Sequence, residues 1–227
     1  MLTNQFKINY SVGSIANGIK TDTFTFFLLF FYSNIIGLNP GLAGTAIFIA
    51  LCVDAFTDPL MGTISDRTNS SFGRRHPYML ISFIPMSLGY IFLFAPRQDW
   101  DMSQSDLFVW MTIFTILTRI GMTLFDIPHR AFGGEITKNY NERTLLMSWR
   151  EMFAWVAGLS NAFLGYGVFF ASTPEFPQGQ LNPDAWFPFA LTGALIMIIS
   201  VLYSSLSTKN EINSLSKWSG SIALGAI

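Results

Sequence analysis

Residues 41–75 read GLAGTAIFIALCVDAFTDPLMGTISDRTNSSFGRR, and this stretch decides both fold and function. Its first part is apolar and long enough to cross a bilayer, for which roughly 20 residues suffice. Asp54, Thr57, Asp58 and Pro59 then interrupt the apolar run, and a polar turn closes it. A carboxylate at membrane depth costs about 2.5–3.5 kcal/mol on insertion scales, so it marks a functional site by default. Asp54 and Asp58 are one helical turn apart and share a face, with Thr57 on the same side. Pro59 has no N–H to donate, which loosens the turn beside Asp58 and frees backbone carbonyls to face a cavity. Two readings stay open. The acids form an oxygen-rich site for a small hard cation or a proton, with Asp54 and Asp58 as Na+ candidates, or they merely pair with basic side chains elsewhere in the bundle.

The rest of the chain places this stretch in a membrane. Of 227 residues, 51% are hydrophobic, 12% are charged and 23 are Phe. Soluble domains carry about 25% charged residues, so half of the expected charge is missing. An integral, multi-pass membrane protein in contact with the lipid bilayer is expected. The net charge of −1 gives no reason to expect a nucleic-acid partner. Cys52 is the only cysteine, which excludes a disulfide within the chain, and it reads as a small buried hydrophobe. No cleavable signal peptide is evident before the first apolar segment.

Six apolar segments are expected to span, at about 10–38, 41–64, 78–95, 107–127, 146–171 and 186–206. The first is the least pure, holding Asn17, Lys20 and Asp22, and Lys20 and Asp22 face either the cavity or each other. The fourth is expected to stop at Pro128. The fold class is therefore all-α: residues 1–211 form a six-helix transmembrane bundle, and residues 212–227 are a cytoplasmic tail or the start of a second half. Lys7, Arg67, Arg74, Arg75, Arg130, Lys138, Arg143, Lys209 and Lys217 fall on one side, Arg97 alone on the other. The positive-inside rule then puts both termini in the cytoplasm, with the cytoplasmic or inner membrane as location. No internal repeat is visible by eye. Small residues four apart, Ser14 with Gly18 and Ala154 with Gly158, allow close helix contact. Trp100, Trp110 and Trp186 are expected in an external interfacial belt.

A second acidic point lies on the fourth helix, where Asp126 follows Thr123 by three residues. If helices two and four meet, Asp54, Thr57, Asp58 and Thr123 can surround one ion, with Asp126 nearby. Lys20, Arg119 and Arg150 are basic residues at depth, each able to neutralise an acid. For Arg119 an ion pair holding helices in register competes with substrate contact. Arg150, close to a charged connector, can hold a polar substrate bidentately. The arginines of residues 66–75 can pair with Asp66 or with helix ends as a gate or latch, and a plain topology anchor is a second, compatible reading. His76 and His129 read as surface groups at helix ends. Gly-rich phosphate loops, paired metal-spaced histidines and nucleophile elbows are missing, so the chain does not read as an enzyme and no cofactor is expected beyond a coupling ion, Na+ or H+.

These residues carry a resemblance. Gly62, Asp66 and Arg67 followed by Gly73, Arg74 and Arg75 resemble the loop signature of the major facilitator superfamily between its second and third helices. The strings DAFTDPLMG (residues 54–62) and GMTLFDIP (residues 121–128) are similar to those of its glycoside–pentoside–hexuronide:cation symporters, and the similarity runs from Tyr10 to Glu211. The resemblance implies that Asp54, Asp58 and Thr123 bind the cation, with Thr57 where a known member has an asparagine ligand. It also implies that Asp126 and Arg150 contact the substrate. Asn17 and Gly18 stand where that member has a Lys–Asp pair, and Arg130 where it has a sugar-stacking tryptophan. Arg130 thus joins Asp126 and Arg150 as a candidate for substrate contact. The implied function is secondary active symport of a sugar or a related polar solute with Na+ or H+. Family members have twelve helices, so the chain resembles an amino-terminal half that needs a second six-helix half or a homodimer. The alternatives are a lipid-substrate transporter of the same superfamily and a non-transporting fragment or assembly partner.

Overall fold

The computed structural model describes residues 2–70 and 72–209, so the expected segment 212–227 lies outside the described residues. Among the described residues there is no strand, and six long helical segments account for the architecture. The first, α1, covers residues 4–36 and contains two wide, π-helical stretches at Thr23–Phe27 and Phe31–Ile36. It ends at Gly37, whose φ of 84° is left-handed and suits glycine. Asn39 caps α2 (Pro40–Arg67), and Pro40 occupies its first turn, where no N–H is needed. Next come α3 (His76–Leu93), α4 (Gln104–Glu135), α5 (Tyr140–Phe169) and α6 (Trp186–Ser207). A reciprocal Ser103–Asp106 capping box starts α4. Helices α2 to α6 are each long and apolar enough to cross a membrane.

The helix α4 runs through Pro128 rather than stopping there. The residues beyond the proline have partners that reward continuation: His129 stacks on Tyr10 at 4.1 Å between ring centres, and Phe132 meets the His76 ring at 5.0 Å. Tertiary contact outweighs the local cost of proline. The same contacts overturn the reading of His76 and His129 as surface groups, since both are buried. The Tyr10 carbonyl can only accept, so His129 donates through Nε2 at 3.0 Å, while the Tyr10 hydroxyl donates to the His129 carbonyl at 3.0 Å.

Packing runs α2 on α4, α4 on α3, α3 on α6, α6 on α1 and α1 on α5. Exchanging α1, α2 and α3 for α4, α5 and α6 maps this pattern of contacts onto itself. Gly18 lets α1 and α5 meet: a Cβ there would lie 2.0 Å from the Ala154 carbonyl oxygen. Such contact between small residues suits a bundle held by close packing rather than by hydrophobic exclusion.

Trp186 does not sit in an interfacial belt. It is fully buried at the end of the bundle away from the 66–75 loop, among Phe31, Phe94 and Phe170 at 5.1, 6.1 and 4.5 Å. Cys52 is exposed rather than buried. Large apolar side chains face outward on α2 and α5, among them Phe48, Phe56, Trp155 and Phe163.

Candidate cation and substrate site

Asp54 and Arg119 each lie at the middle of their helices, α2 and α4. The packing of these two helices brings the acids of one against the hydroxyl and base of the other. The Thr123 hydroxyl donates to Asp58 Oδ1 at 2.6 Å, and Arg119 Nη1 donates to Asp54 Oδ2. Asn17 and Lys20 of α1 complete the polar lining of a cavity of about 70 Å³, which Asp126 also borders. That volume holds an ion with little water. It is far below the roughly 300–1,000 Å³ of a small-molecule site.

Thr57 does not line this cavity. Its hydroxyl turns back to the Asp54 carbonyl at 3.5 Å, and its place next to Asp58 turns it about 100° around the helix from that acid. Lys20 and Asp22 part company as well. Lys20 faces the cavity, while Asp22 accepts from the Asn161 side-chain amide on α5 at 2.7 Å.

Nearer the 66–75 loop, Asp126 takes two arginines. Arg130 Nε, one turn on, donates to its Oδ2 at 2.6 Å, and Arg150 Nη2 donates to its Oδ1. The second terminal nitrogen of Arg150 donates to Glu151 at 2.5 Å, and the Arg150 side chain is only 1% exposed. Its guanidinium is thus committed within the protein, whereas the Arg130 side chain is 50% exposed. Lys20, Arg119, Arg130 and Arg150 match Asp54, Asp58, Asp126 and Glu151 in number, so the formal charges of this region balance.

The loop motif is a latch in geometry. Arg75, 7% exposed, donates from Nη2 to Asp66 at 2.7 Å and to Glu135 at 2.8 Å, and Arg74 reaches Glu135 at 3.1 Å. The ends of α2 and α4 are thereby tied through the start of α3. Gly73 has a φ of 80°, which only glycine adopts without strain. Gly62 meets little, the nearest atom to a Cβ there being Ile127 Cγ2 at 3.8 Å. Arg67 ends α2 as the basic residue of its last turn. Glu135 escapes a reading of the sequence, because it is an ordinary polar residue beyond an apolar segment, and Glu151, although it lies within the fifth segment, shows no partner there. Only the arginines they meet give the two a role.

The described residues thus form an all-helical membrane bundle with a carboxylate and an arginine opposed at mid-helix. The chain belongs to the MFS/sugar transport protein family, whose model matches residues 9–220. It is 33% identical to the uncharacterized symporter sll1374 of Synechocystis sp., over 90% of this chain and 37% of that protein. It is 32% identical to the inner membrane symporter YicJ of Escherichia coli, over 72% of this chain and 35% of that one. The putative glycoside/cation symporter YagG of Escherichia coli is 33% identical over 70% of this chain and 34% of its own length. The chain thus spans about a third of the length of the curated relatives it matches. The family and these relatives are transporters, and the chain is an integral, multi-pass membrane protein.

Proposed function

We propose that this chain forms the amino-terminal wall of a cation-coupled symporter for a sugar or related small polar solute. The carrying observation is the hydrogen bond from Thr123 to Asp58, which joins a carboxylate of α2 to a hydroxyl of α4 at the depth of a cavity of ionic size. Asp54, Asp58 and Thr123 hold the coupling ion, Na+ or H+, and Thr57 supports the helix turn between the acids. Because the region's formal charges balance, an arriving cation leaves one positive charge in excess. That excess favours a solute rich in oxygen lone pairs or carrying a carboxylate, which gives coupling a physical basis.

Arg130 and the outer edge of Asp126 meet the solute, as a donor and an acceptor side by side. Arg150 acts through Asp126, holding it in place. The second wall comes from six further helices or from a second copy, seated against the apolar faces of α2 and α5. Lys7, Arg74, Arg75 and Lys209 gather at one end of the bundle, which supports the reading that this end and both termini are cytoplasmic.

The test is uptake into vesicles carrying this chain together with a second six-helix half. Radiolabelled methyl glucoside, methyl xyloside and glucuronate serve as probes, with and without an inward Na+ or H+ gradient. Gradient-stimulated uptake of one probe, lost on Asp58→Asn, is expected. Uptake indifferent to both gradients would overturn the proposal.

A further inference from the structure

Arg119 stands where a coupling cation has to bind. Its contact with Asp54 is one-pronged: Nη1 donates to Oδ2, while Asp54 Oδ1 and Arg119 Nε are both buried without a hydrogen-bond partner among the described residues. A guanidinium committed to a carboxylate presents two parallel bonds, so this pair leaves capacity on both sides. The two side chains are 12% and 22% exposed. While it is paired with Asp54, the Arg119 guanidinium carbon already lies 5.5 Å from the centre of the Phe24 ring, a contact it can keep and tighten when the ion pair opens. Asp58, one turn further along α2, makes no ion pair among the described residues and is held by the neutral Thr123 hydroxyl. The two acids are therefore unlike. One carries a tethered cation, and the other leaves its charge for something else.

We propose that Arg119 is a tethered competitor for the coupling cation. It holds Asp54 until a small hard cation such as Na+ or Li+ settles between Asp54 and Asp58, and it then tightens onto the face of Phe24. This rests on the cation reading of Asp54 and Asp58 given above. Two consequences follow from the placement. Cation affinity is set by exchanging one ion pair for another, so it is weaker than the carboxylates alone would give. Release of Arg119 also undoes the mid-helix tie between α2 and α4 while the Asp58–Thr123 bond keeps the helices together, which turns ion binding into a local loosening.

The experiment is equilibrium binding of radioactive sodium to the 227-residue chain in lipid nanodiscs. Arg119→Leu is expected to bind sodium about tenfold tighter or more, as fits removal of a competitor stronger than an exposed ion pair. Arg119→Lys keeps the competitor and stays near the wild-type affinity. Phe24→Leu removes the ring contact, so it weakens binding in the wild-type background and leaves binding unchanged in the Arg119→Leu background. A fixed strut would not produce that pattern. If Arg119→Leu does not yield a folded, monodisperse protein, Arg119→Gln and the single Phe24→Leu variant carry the same test. Unchanged or weaker sodium binding in Arg119→Leu and Arg119→Gln, with binding lost in Asp58→Asn, would overturn the competitor role and leave the cation site standing. Absence of sodium binding in every variant, the wild type included, would overturn both.

Discussion

The Thr123 hydroxyl lies 2.6 Å from Asp58 Oδ1, across the contact between α4 and α2. A hydroxyl that donates to a carboxylate keeps its own lone pairs, so the two side chains together present oxygen to a cation without bringing a further charge. Thr123→Val removes the hydroxyl at almost constant volume and leaves Asp58 without its donor. A hydrogen bond to a charged group contributes about 1.5–3 kcal/mol, so sodium binding by Thr123→Val is expected to weaken by about tenfold or more. Thr123→Ser keeps the hydroxyl and should remain near the wild type. Equal affinity in the valine and serine variants would remove Thr123 from the site.

Arg75 and Arg74 test the latch against the anchor. Arg75 is buried between Asp66 and Glu135, whereas Arg74 is half exposed beside Glu135. Arg75→Gln is expected to lower the stability of the folded chain by about 2–3 kcal/mol, because two carboxylates lose a desolvated partner. Arg74→Gln should cost at most about 1 kcal/mol. Thermal or denaturant unfolding in detergent separates them, and equal losses would mean that both arginines act only as topology anchors.

Arg150 and Arg130 divide in the same way around Asp126. Arg150→Gln leaves Asp126 and Glu151 without their buried partner and is expected to destabilise the chain by about 3–5 kcal/mol. Arg130 is exposed and one turn from Asp126, a geometry worth only about 0.3–0.5 kcal/mol, so Arg130→Gln should fold normally and change solute recognition instead. Normal stability in Arg150→Gln would contradict its role as the group that positions Asp126.

Gly18 and Gly44 probe the packing. A methyl group at Gly18 would meet the Ala154 backbone, while nothing lies within 4 Å of one at Gly44. Gly18→Ala is therefore expected to cost about 1–3 kcal/mol through overpacking, and Gly44→Ala to be neutral or slightly stabilising. Comparable unfolding curves for the two variants would show that α1 and α5 are not in contact.

Much of this arrangement is legible in the sequence, for a physical reason. Spans are written in hydropathy, and the shared face of Asp54 and Asp58 follows from their spacing alone. The pairing of acids with bases is not written there. Arg119 finds Asp54 and Arg150 finds Asp126 only once α2, α4 and α5 are packed, and nothing local chooses among the possible partners. The burial of Trp186 and His129 is hidden for the same reason, since Phe31 and Tyr10, which pack on them, lie on α1, more than a hundred residues away in the chain. The exposure of Cys52 is hidden because it sits in the apolar run 46–53, where hydropathy does not tell an outward face from an inward one. Pro128 misled because its local cost is visible in the sequence while the contacts of Phe132 that offset it are not.

The central claim is that Asp54 and Asp58 are tolerated at mid-membrane because a cation visits them. Equilibrium sodium binding to the chain in nanodiscs, repeated with Asp54→Asn and Asp58→Asn and over a range of pH, tests it most directly. The account predicts saturable binding that lithium or protons displace and that Asp58→Asn abolishes. Binding that survives both substitutions, or a wild-type chain that takes up neither sodium nor protons, would contradict it.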